Sequence, residues 1–383
     1  MKAVPFTFLF AALLFCVMIR WYTLKRKAGK KDDMRRRARW ILLITLICIG
    51  LLTGCSKRVK PLQEFRTQYL DYFDTFTSVT VYAENEEKFR EYEETIRSSM
   101  ERYHQLFDIY NQYKGISNIK TINDSAGIAP VETDPAVIEL LERSIEMYDR
   151  TDGKVNPAMG SVLSIWHEYR TDAAARPERA EVPDLSELQK AAQHMAIHEI
   201  EIDKDKNTVY LPDPKMKLDV GAVAKGYAAQ KICEELREKG VTSALLSLGG
   251  NVQTIGTRGD GKPWRVGIQN PDTASQKAYL HAVKLQDMAL VTSGSYQRFY
   301  EVDGVRYHHI IDPDTLMPQQ MYDGVTILCE DGTEADALST AVFNMELEEG
   351  KKLIESLEGT EAIWVFPDGT EVFSSGFEAY VDE

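Results

Sequence analysis

From Phe76 to Ala83 polar and apolar positions alternate, with Thr77, Val79 and Val81 on one side, the period of a half-buried strand. Phe89, Tyr92, Ile96, Met100, Tyr103 and Phe107 then recur every three or four residues, which predicts an amphipathic helix with its aromatic stripe turned to the core. The polar run 108–123 reads as a loop. Asp134 and Pro135 supply an N-cap and a first-turn proline for a second helix that ends near Asp152-Gly153. Asn156-Pro-Ala-Met-Gly160 turns the chain, 161–169 reads as a helix with Trp166 on its apolar side, and 171–183, with two prolines, reads as an exposed loop.

Further on, 199–203 and 208–211 flank Lys204-Asp-Lys-Asn207 and predict a hairpin. Leu218-Asp-Val-Gly-Ala-Val-Ala-Lys-Gly-Tyr227 leads into a helix ending at Gly240, and Ala244 to Leu248 is a buried strand stopped by Gly249-Gly250-Asn251. Strands are predicted at 252–257, 264–269, 325–329, 362–366 and 371–373, and a helix at 348–357. Between them, Val291-Thr-Ser-Gly-Ser-Tyr-Gln-Arg298 is expected as a hydroxyl-rich turn, and Tyr307-His-His-Ile-Ile-Asp-Pro313 as a short strand with one histidine inward and the other outward. Strands and helices mix without regular βαβ alternation, so the expected class is α+β.

The 383 residues and 44% apolar content are those of a globular chain of one large or two ordinary domains. Charge changes the picture because it is uneven. Residues 1–54 hold 11 Lys/Arg and 2 Asp/Glu, leaving 34 basic against 57 acidic residues for 55–383, a net of −23 where the whole chain has −14. Such a body argues against nucleic acid as a partner. A phosphate-bearing ligand would need a metal or a local cation. Of five cysteines only Cys233 and Cys329 belong to the body, with neither metal-type spacing nor a disulfide framework.

The leader carries its own pattern. Met34-Arg-Arg-Arg-Ala-Arg-Trp40 is a basic segment, Ile41 to Leu51 an apolar one too short to span comfortably, and Leu52-Thr-Gly-Cys55 closes it. It resembles a bacterial lipoprotein signal at 34–54, in which Cys55 is acylated, with palmitate among the expected chains, and holds the protein on a membrane surface. Residues 1–33 contain a second apolar run, either an extra membrane segment or sequence ahead of the true start, and Met34 is the expected start. The expectations are a linker at 55–70, a single unit at 71–383, and a place on the extracytoplasmic face of the cell membrane.

Four features of the body suit a polar ligand. Asp336 and Thr340 are four apart and share a helix face, offering two hard oxygens of the kind Mg²⁺ prefers, although a plain helix-start pair reads the same. Lys225 and the N–H groups at the start of its helix could hold phosphate. His309 or His308 would be the inward histidine, and Gly249-Gly250 marks a tight turn.

Taken together, Leu218–Tyr227, Leu248-Gly-Gly-Asn251, Pro263-Trp-Arg-Val-Gly-Ile268, Thr292-Ser-Gly294, His309-Ile-Ile-Asp-Pro313 and Ala335-Asp-Ala-Leu-Ser-Thr-Ala341 resemble the ApbE family, the FAD:protein FMN transferases, in order and spacing from about Tyr72 onward. The resemblance implies mixed, largely antiparallel sheets with packed helices in a T-fold-like catalytic unit. It implies that FAD is split at its pyrophosphate, that FMN passes to a Thr or Ser hydroxyl of a redox protein carrying a Ser/Thr-Gly-Ala-Thr type motif, and that AMP leaves. It assigns Mg²⁺ to Asp336, Thr340 and the Ala222 carbonyl, FAD contacts to Phe73, Tyr110, Lys154, Val155, Asn156, Asp219, Lys225 and Ile310, and the base to His309, whose side chain titrates in the useful range.

The chain departs from the family pattern in several places. Phe73 stands for Met, Asn156 for the Asp of Phe-Asp-Pro, and Leu316-Met317 for a Gly, so that turn is expected to be built differently. The loop 111–123 is longer. Two rival activities use the same motifs, an FAD pyrophosphatase giving free FMN and AMP, and a non-catalytic FAD-binding lipoprotein.

Overall fold

The computed structural model describes residues 61–382, so the signal at 34–54, Cys55 and the first part of the expected linker lie outside the described residues. In chain order the elements are β1 (Gln63–Tyr72), β2 (Thr75–Ala83), α1 (Glu86–Phe107), α2 (Ile119–Asp124), β3 (Val131–Glu132), α3 (Pro135–Arg150), α4 (Gly160–Ala175), α5 (Leu185–Ala191), β4 (Glu201–Asp203) and β5 (Thr208–Tyr210). Then follow α6 (Ala224–Glu238), β6 (Ala244–Leu248), β7 (Asn251–Ile255), β8 (Trp264–Gln269), β9 (Tyr279–Leu285), β10 (Ala289–Gly294), β11 (Phe299–Val302), β12 (Val305–His308) and β13 (Gly324–Cys329). The series ends with α7 (Gly332–Phe343), α8 (Leu347–Glu355), β14 (Glu361–Val365) and β15 (Glu371–Phe373). The class is α+β, as expected.

The frame is an eight-stranded sheet in the order β1-β2-β6-β7-β10-β13-β14-β15, antiparallel throughout. Period-two alternation splits its side chains between two cores. Val79, Val81, Leu246, Val291, Val325, Ile327 and Trp364 face a large core shared with α1, α3, α6 and α7. Leu290, Leu328, Ile363 and Val365 face a smaller one closed by Trp264 and Ile268 of β8 and Val283 and Leu285 of β9. A third cluster joins Met159, Val162 and Trp166 of the α4 region to Tyr300, Ile311 and Leu316.

Four local expectations change. Residues 63–70, expected as linker, belong to β1, because Phe65 stacks on Phe89 of α1 at 4.8 Å and the strand pairs with β2 over its length. Within the expected loop 108–123 the short helix α2 forms. Asn118 caps it in a reciprocal box with Thr121, and Ile119 and Ile122 are buried. Helix α4 runs on to Ala175, since Ala173 is buried in the third cluster. Thr292-Ser-Gly294 is the end of strand β10 and not a turn: Thr292 Oγ1 lies 2.8 Å from Thr326 Oγ1 of the neighbouring strand.

Two glycines close the strand end where β6 turns into β7. Leu248 pairs with Asn251, leaving Gly249 and Gly250 as a two-residue loop with φ of 55° and 94°. Both angles are open to glycine without steric cost, which makes this a type I′ hairpin.

Candidate active site

The site is built where α6 begins against α7. An Asp331 cap, accepting from Thr333 and Glu334 N–H, starts α7 at the end of β13 and buries Asp336 one turn in. The Gly226 N–H, a first-turn donor of α6 without an acceptor inside its own helix, donates to Asp336 Oδ2 at 2.8 Å across the α6–α7 crossing. Only glycine permits this crossing, because a Cβ at Gly226 would lie 2.1 Å from the Gly332 carbonyl oxygen and 2.6 Å from Asp336 Cβ. Lys225 Nζ stands 3.7 Å from Asp336 Oδ1, an ion pair without a hydrogen bond. Ser293 Oγ, from β10, is 2.8 Å from Ser339 Oγ and 3.4 Å from Thr340 Oγ1, so a row of hydroxyls borders the carboxylate.

The two histidines separate cleanly. His308 is buried; its Nδ1 accepts from the Ile310 N–H (3.2 Å) and its Nε2 donates to the Gln319 carbonyl (2.5 Å), so both ring nitrogens are spent on the fold. His309 is half-buried, and its Nδ1 is sealed from solvent without a partner, which leaves Nε2 as the nitrogen a ligand can reach. Burial, then the charges of Arg298, Arg170 and Lys225, hold the His309 imidazole down to about 3. It is a neutral acceptor at physiological pH.

Asp219 lies beyond, its backbone N–H bonded to the Pro157 carbonyl at 2.8 Å and its Oδ1 accepting from Gly221 N–H at 2.9 Å. Burial raises its carboxyl above the ordinary range, against the pull of that hydrogen bond and of the nearby His167, Arg170 and Arg298. Tyr110 is 53% exposed, with its ring 5.0 Å from that of His167, so it offers an aromatic face. Phe73 sits in the left-handed region at φ 55°, its N–H bonded to His104 Nδ1 at 3.2 Å, in the tight turn between β1 and β2. That conformation is strained for a bulky side chain, and such strain gathers at functional sites.

Other residues singled out from the sequence are engaged within the fold. Lys154 Nζ bridges Asp312 (3.0 Å) and Asp314 (2.7 Å), and Val155 and Ile310 are buried core residues. Asn156 Oδ1 accepts from Ala158 N–H at 2.8 Å while Nδ2 donates to the Met195 carbonyl at 3.0 Å. An ionised Asp could not make the second bond, which gives the amide its own reason. Leu316 takes φ 61°, a glycine-type conformation, and offsets the strain by burying its side chain and accepting from Trp166 Nε1 (2.9 Å). The turn expected to be rebuilt therefore keeps a left-handed residue.

Known proteins place the chain in a family. The family model described as "ApbE family" matches residues 73–364. The chain belongs to the ApbE family. Among its relatives, a Treponema pallidum protein named FAD:protein FMN transferase is 37% identical over 274 residues, 68% of this chain and 74% of that protein. The solved ApbE protein of Thermotoga maritima superposes with a TM-score of 0.71 at 29% identity, over 84% of this chain and all of that one. The ApbE flavin transferase of Vibrio cholerae has a TM-score of 0.70 at 22% identity, over 84% of this chain and all of that one, and bears on the fold.

The ApbE motifs leave out Arg170 and Arg298, whose charges act on His309, and the imidazole of His167 beside Arg170. Arg170 and His167 lie on α4 outside every quoted motif, and Arg298 closes the Thr-Ser-Gly segment without having been assigned a role. Nothing local marks α4 as part of the site; its hydrophobic signal, Trp166, reports only packing. A cleft of about 590 Å³ lined by Arg265, Tyr279, His281 and Asp382 belongs to the β8–β9 side and includes none of the site residues.

Proposed function

We infer that this chain transfers FMN from FAD to a hydroxyl of a target protein with release of AMP, and that the transfer depends on Mg²⁺. The observation that carries the reading is the clamp between α6 and α7, in which the Gly226 N–H holds the buried Asp336 carboxylate with Lys225 alongside. Among the described residues no three His, Cys, Asp or Glu converge as a metal cage. A carboxylate, a hydroxyl and a carbonyl are instead the sparse, all-oxygen set that suits Mg²⁺ shared with substrate phosphates. The buried Asp336 carboxylate, with one fixed N–H donor and Lys225 held at 3.7 Å, fits a small hard cation. Asp336, Thr340 and the Ala222 carbonyl would hold it, and when bound it would offset the charge of the pyrophosphate against an acidic protein.

This chain's own residues then account for the rest. Lys225 supplies a cation at the helix start for the phosphates. Tyr110 and Phe73 present apolar faces to the flavin nucleotide. His309, neutral, takes the acceptor hydroxyl's proton at Nε2 as the oxygen bonds to the FMN-side phosphorus and the bond to the AMP phosphate breaks. His309, too weakly basic to keep the proton, passes it on to solvent, FMN is left as a phosphoester, and AMP departs. The acceptor is an extracytoplasmic redox protein with a Ser/Thr-Gly-Ala-Thr type motif, and Cys55, acylated, anchors the enzyme to the outer face of the membrane.

The test is intact mass of an acceptor domain bearing that motif after incubation with residues 56–383, FAD and Mg²⁺. One added FMN, lost with EDTA and absent with Asp336→Ala, is the expected result. Free FMN and AMP without a mass gain would favour the pyrophosphatase, and unchanged FAD would leave a binding protein. Full transfer by a folded Asp336→Ala variant would refute the metal assignment.

A further inference from the structure

We propose that Arg170 and His167, one turn apart on α4, are specificity-determining residues that grip a phosphoryl group of the flavin donor, so that the donor is selected by its diphosphate as well as by its flavin. The proposal rests on the FMN-transfer reading and concerns a helix that none of the family motifs touches.

Helix α4 is seated beside the histidine segment by Trp166. Its Nε1 donates to the Leu316 carbonyl at 2.9 Å, and its ring stacks on that of Tyr307, two residues before His309, at 6.0 Å. The residue after Trp166 is His167, whose ring lies 5.0 Å from that of the exposed Tyr110. Arg170 follows one turn later, with Nη2 3.0 Å from His167 Nδ1. A guanidinium can only donate, so His167 Nδ1 accepts and the imidazole carries its proton on Nε2. Burial and the adjacent Arg170 charge both push the His167 imidazole toward the neutral form, in keeping with that tautomer. The helix therefore presents a guanidinium and a fixed N–H donor next to an aromatic face.

Arg170 lacks a counter-charge, and unlike the half-buried Arg306, which lies over the Phe299 ring at 4.5 Å, it has the aromatic face and the imidazole of a ligand-facing cluster beside it. This chain has 59 acidic and 45 basic residues, and its half-buried Arg143 reaches Asp331 (2.6 Å) while the more exposed Arg150 reaches Glu334 (2.5 Å). Arg170 is half-buried too, yet among the described residues it has no carboxylate within ion-pair distance, and Asp219 acts on it only from further away. Withdrawing a guanidinium from water without an anion is unfavourable, so the arrangement is expected where an anion arrives. The fork of guanidinium donors matches phosphate oxygens, and a neighbouring neutral N–H adds a donor without adding repulsion. Arg298, also without a carboxylate partner among the described residues, acts electrostatically on Asp219 and His309 as Arg170 does and extends the positive field.

The phosphoryl group is either the one that stays with FMN or the one that leaves with AMP, and binding by the full chain separates them. Affinities of the wild type, Arg170→Gln and Arg170→Lys for FAD, FMN, AMP and riboflavin would be measured by equilibrium dialysis, with melting curves for each protein. Arg170→Gln is expected to weaken FAD by about 10- to 100-fold, the loss of one charged hydrogen-bonding group. Riboflavin should stay within about twofold, and Arg170→Lys should recover part of the loss. A parallel loss for AMP with FMN spared assigns the leaving phosphate; the reverse assigns the retained one. Unchanged FAD affinity in Arg170→Gln, or an equal loss for riboflavin, would overturn the proposal, as would a like effect from Arg179→Gln, an exposed arginine just beyond the end of α4. If Arg170→Gln does not fold, Arg170→Lys carries the same comparison of FAD with riboflavin. Failure of the underlying reading would show separately, as no FMN transfer by the wild type whatever the variants bind.

Discussion

Adding a single methyl group at Gly226 tests how the site is held together. An alanine there would set its Cβ 2.1 Å from the Gly332 carbonyl oxygen and 2.6 Å from Asp336 Cβ, both on α7. Ordinary van der Waals contact begins more than an ångström farther out, and the nearest atom is backbone, so α6 and α7 must separate. Overpacking of this kind costs about 1–3 kcal/mol. The separation also stretches the Gly226 N–H bond to Asp336, and leaving a buried carboxylate short of its donor adds roughly 1–3 kcal/mol. At about 2 °C per kcal/mol for a chain of this size, the melting midpoint should fall by roughly 4–12 °C. Because the same hydrogen bond orients Asp336, FMN transfer should fall out of proportion to the loss of folded protein at 25 °C. Gly350→Ala is the matched control: it lies within α8, its added Cβ meets nothing nearer than 3.4 Å, and it should leave transfer intact while stabilising by up to about 1 kcal/mol. A Gly226→Ala protein that melts and turns over like the wild type would refute the clamped crossing.

Three further outcomes are expected. With His309 held down to about 3, transfer should stay level as pH falls from about 8 to about 5, because the imidazole remains neutral; an acid limb near about 6.5 in the rate profile would contradict it. The same shift means the unfolded chain takes up the proton first, so stability from this group is whole above about pH 6.5 and is lost as pH falls toward 3. Lys154→Ala strands Asp312, which is nearly buried, and should cost roughly 2–4 kcal/mol in denaturant titration; a variant of wild-type stability that binds FAD poorly would instead make Lys154 a ligand contact. Phe73→Gly relieves a left-handed residue and should stabilise by about 1 kcal/mol while weakening FAD binding, and wild-type affinity in that variant would remove Phe73 from the site.

Much of the frame was legible because it is written in short-range pattern. The stripe from Phe89 to Phe107 became α1, the Asp134-Pro135 start became the cap of α3, and Gly249-Gly250 became a hairpin. The misses share a cause. Residues 63–70 alternate too weakly to announce a strand, and became one because Phe65 found Phe89 across the fold. Asn118 and Thr121 formed a cap around only two apolar residues.

By itself the sequence determined the α+β class, the acidic body and, through ordered motifs, membership in the ApbE family, since each depends on residues close together or on total composition. Tertiary structure alone decided which groups meet. Gly226 and Asp336 are 110 positions apart and are joined by one hydrogen bond. Of two adjacent histidines, His308 was spent on Gln319 and Ile310 while His309 kept a free nitrogen. Arg170 comes close enough to act on His309 because Trp166 seats α4 against Leu316 and Tyr307. Periodicity reports which side of an element is buried; it carries no information about which distant element will cover it, and that pairing is where burial, charge and hydrogen-bond partners were assigned.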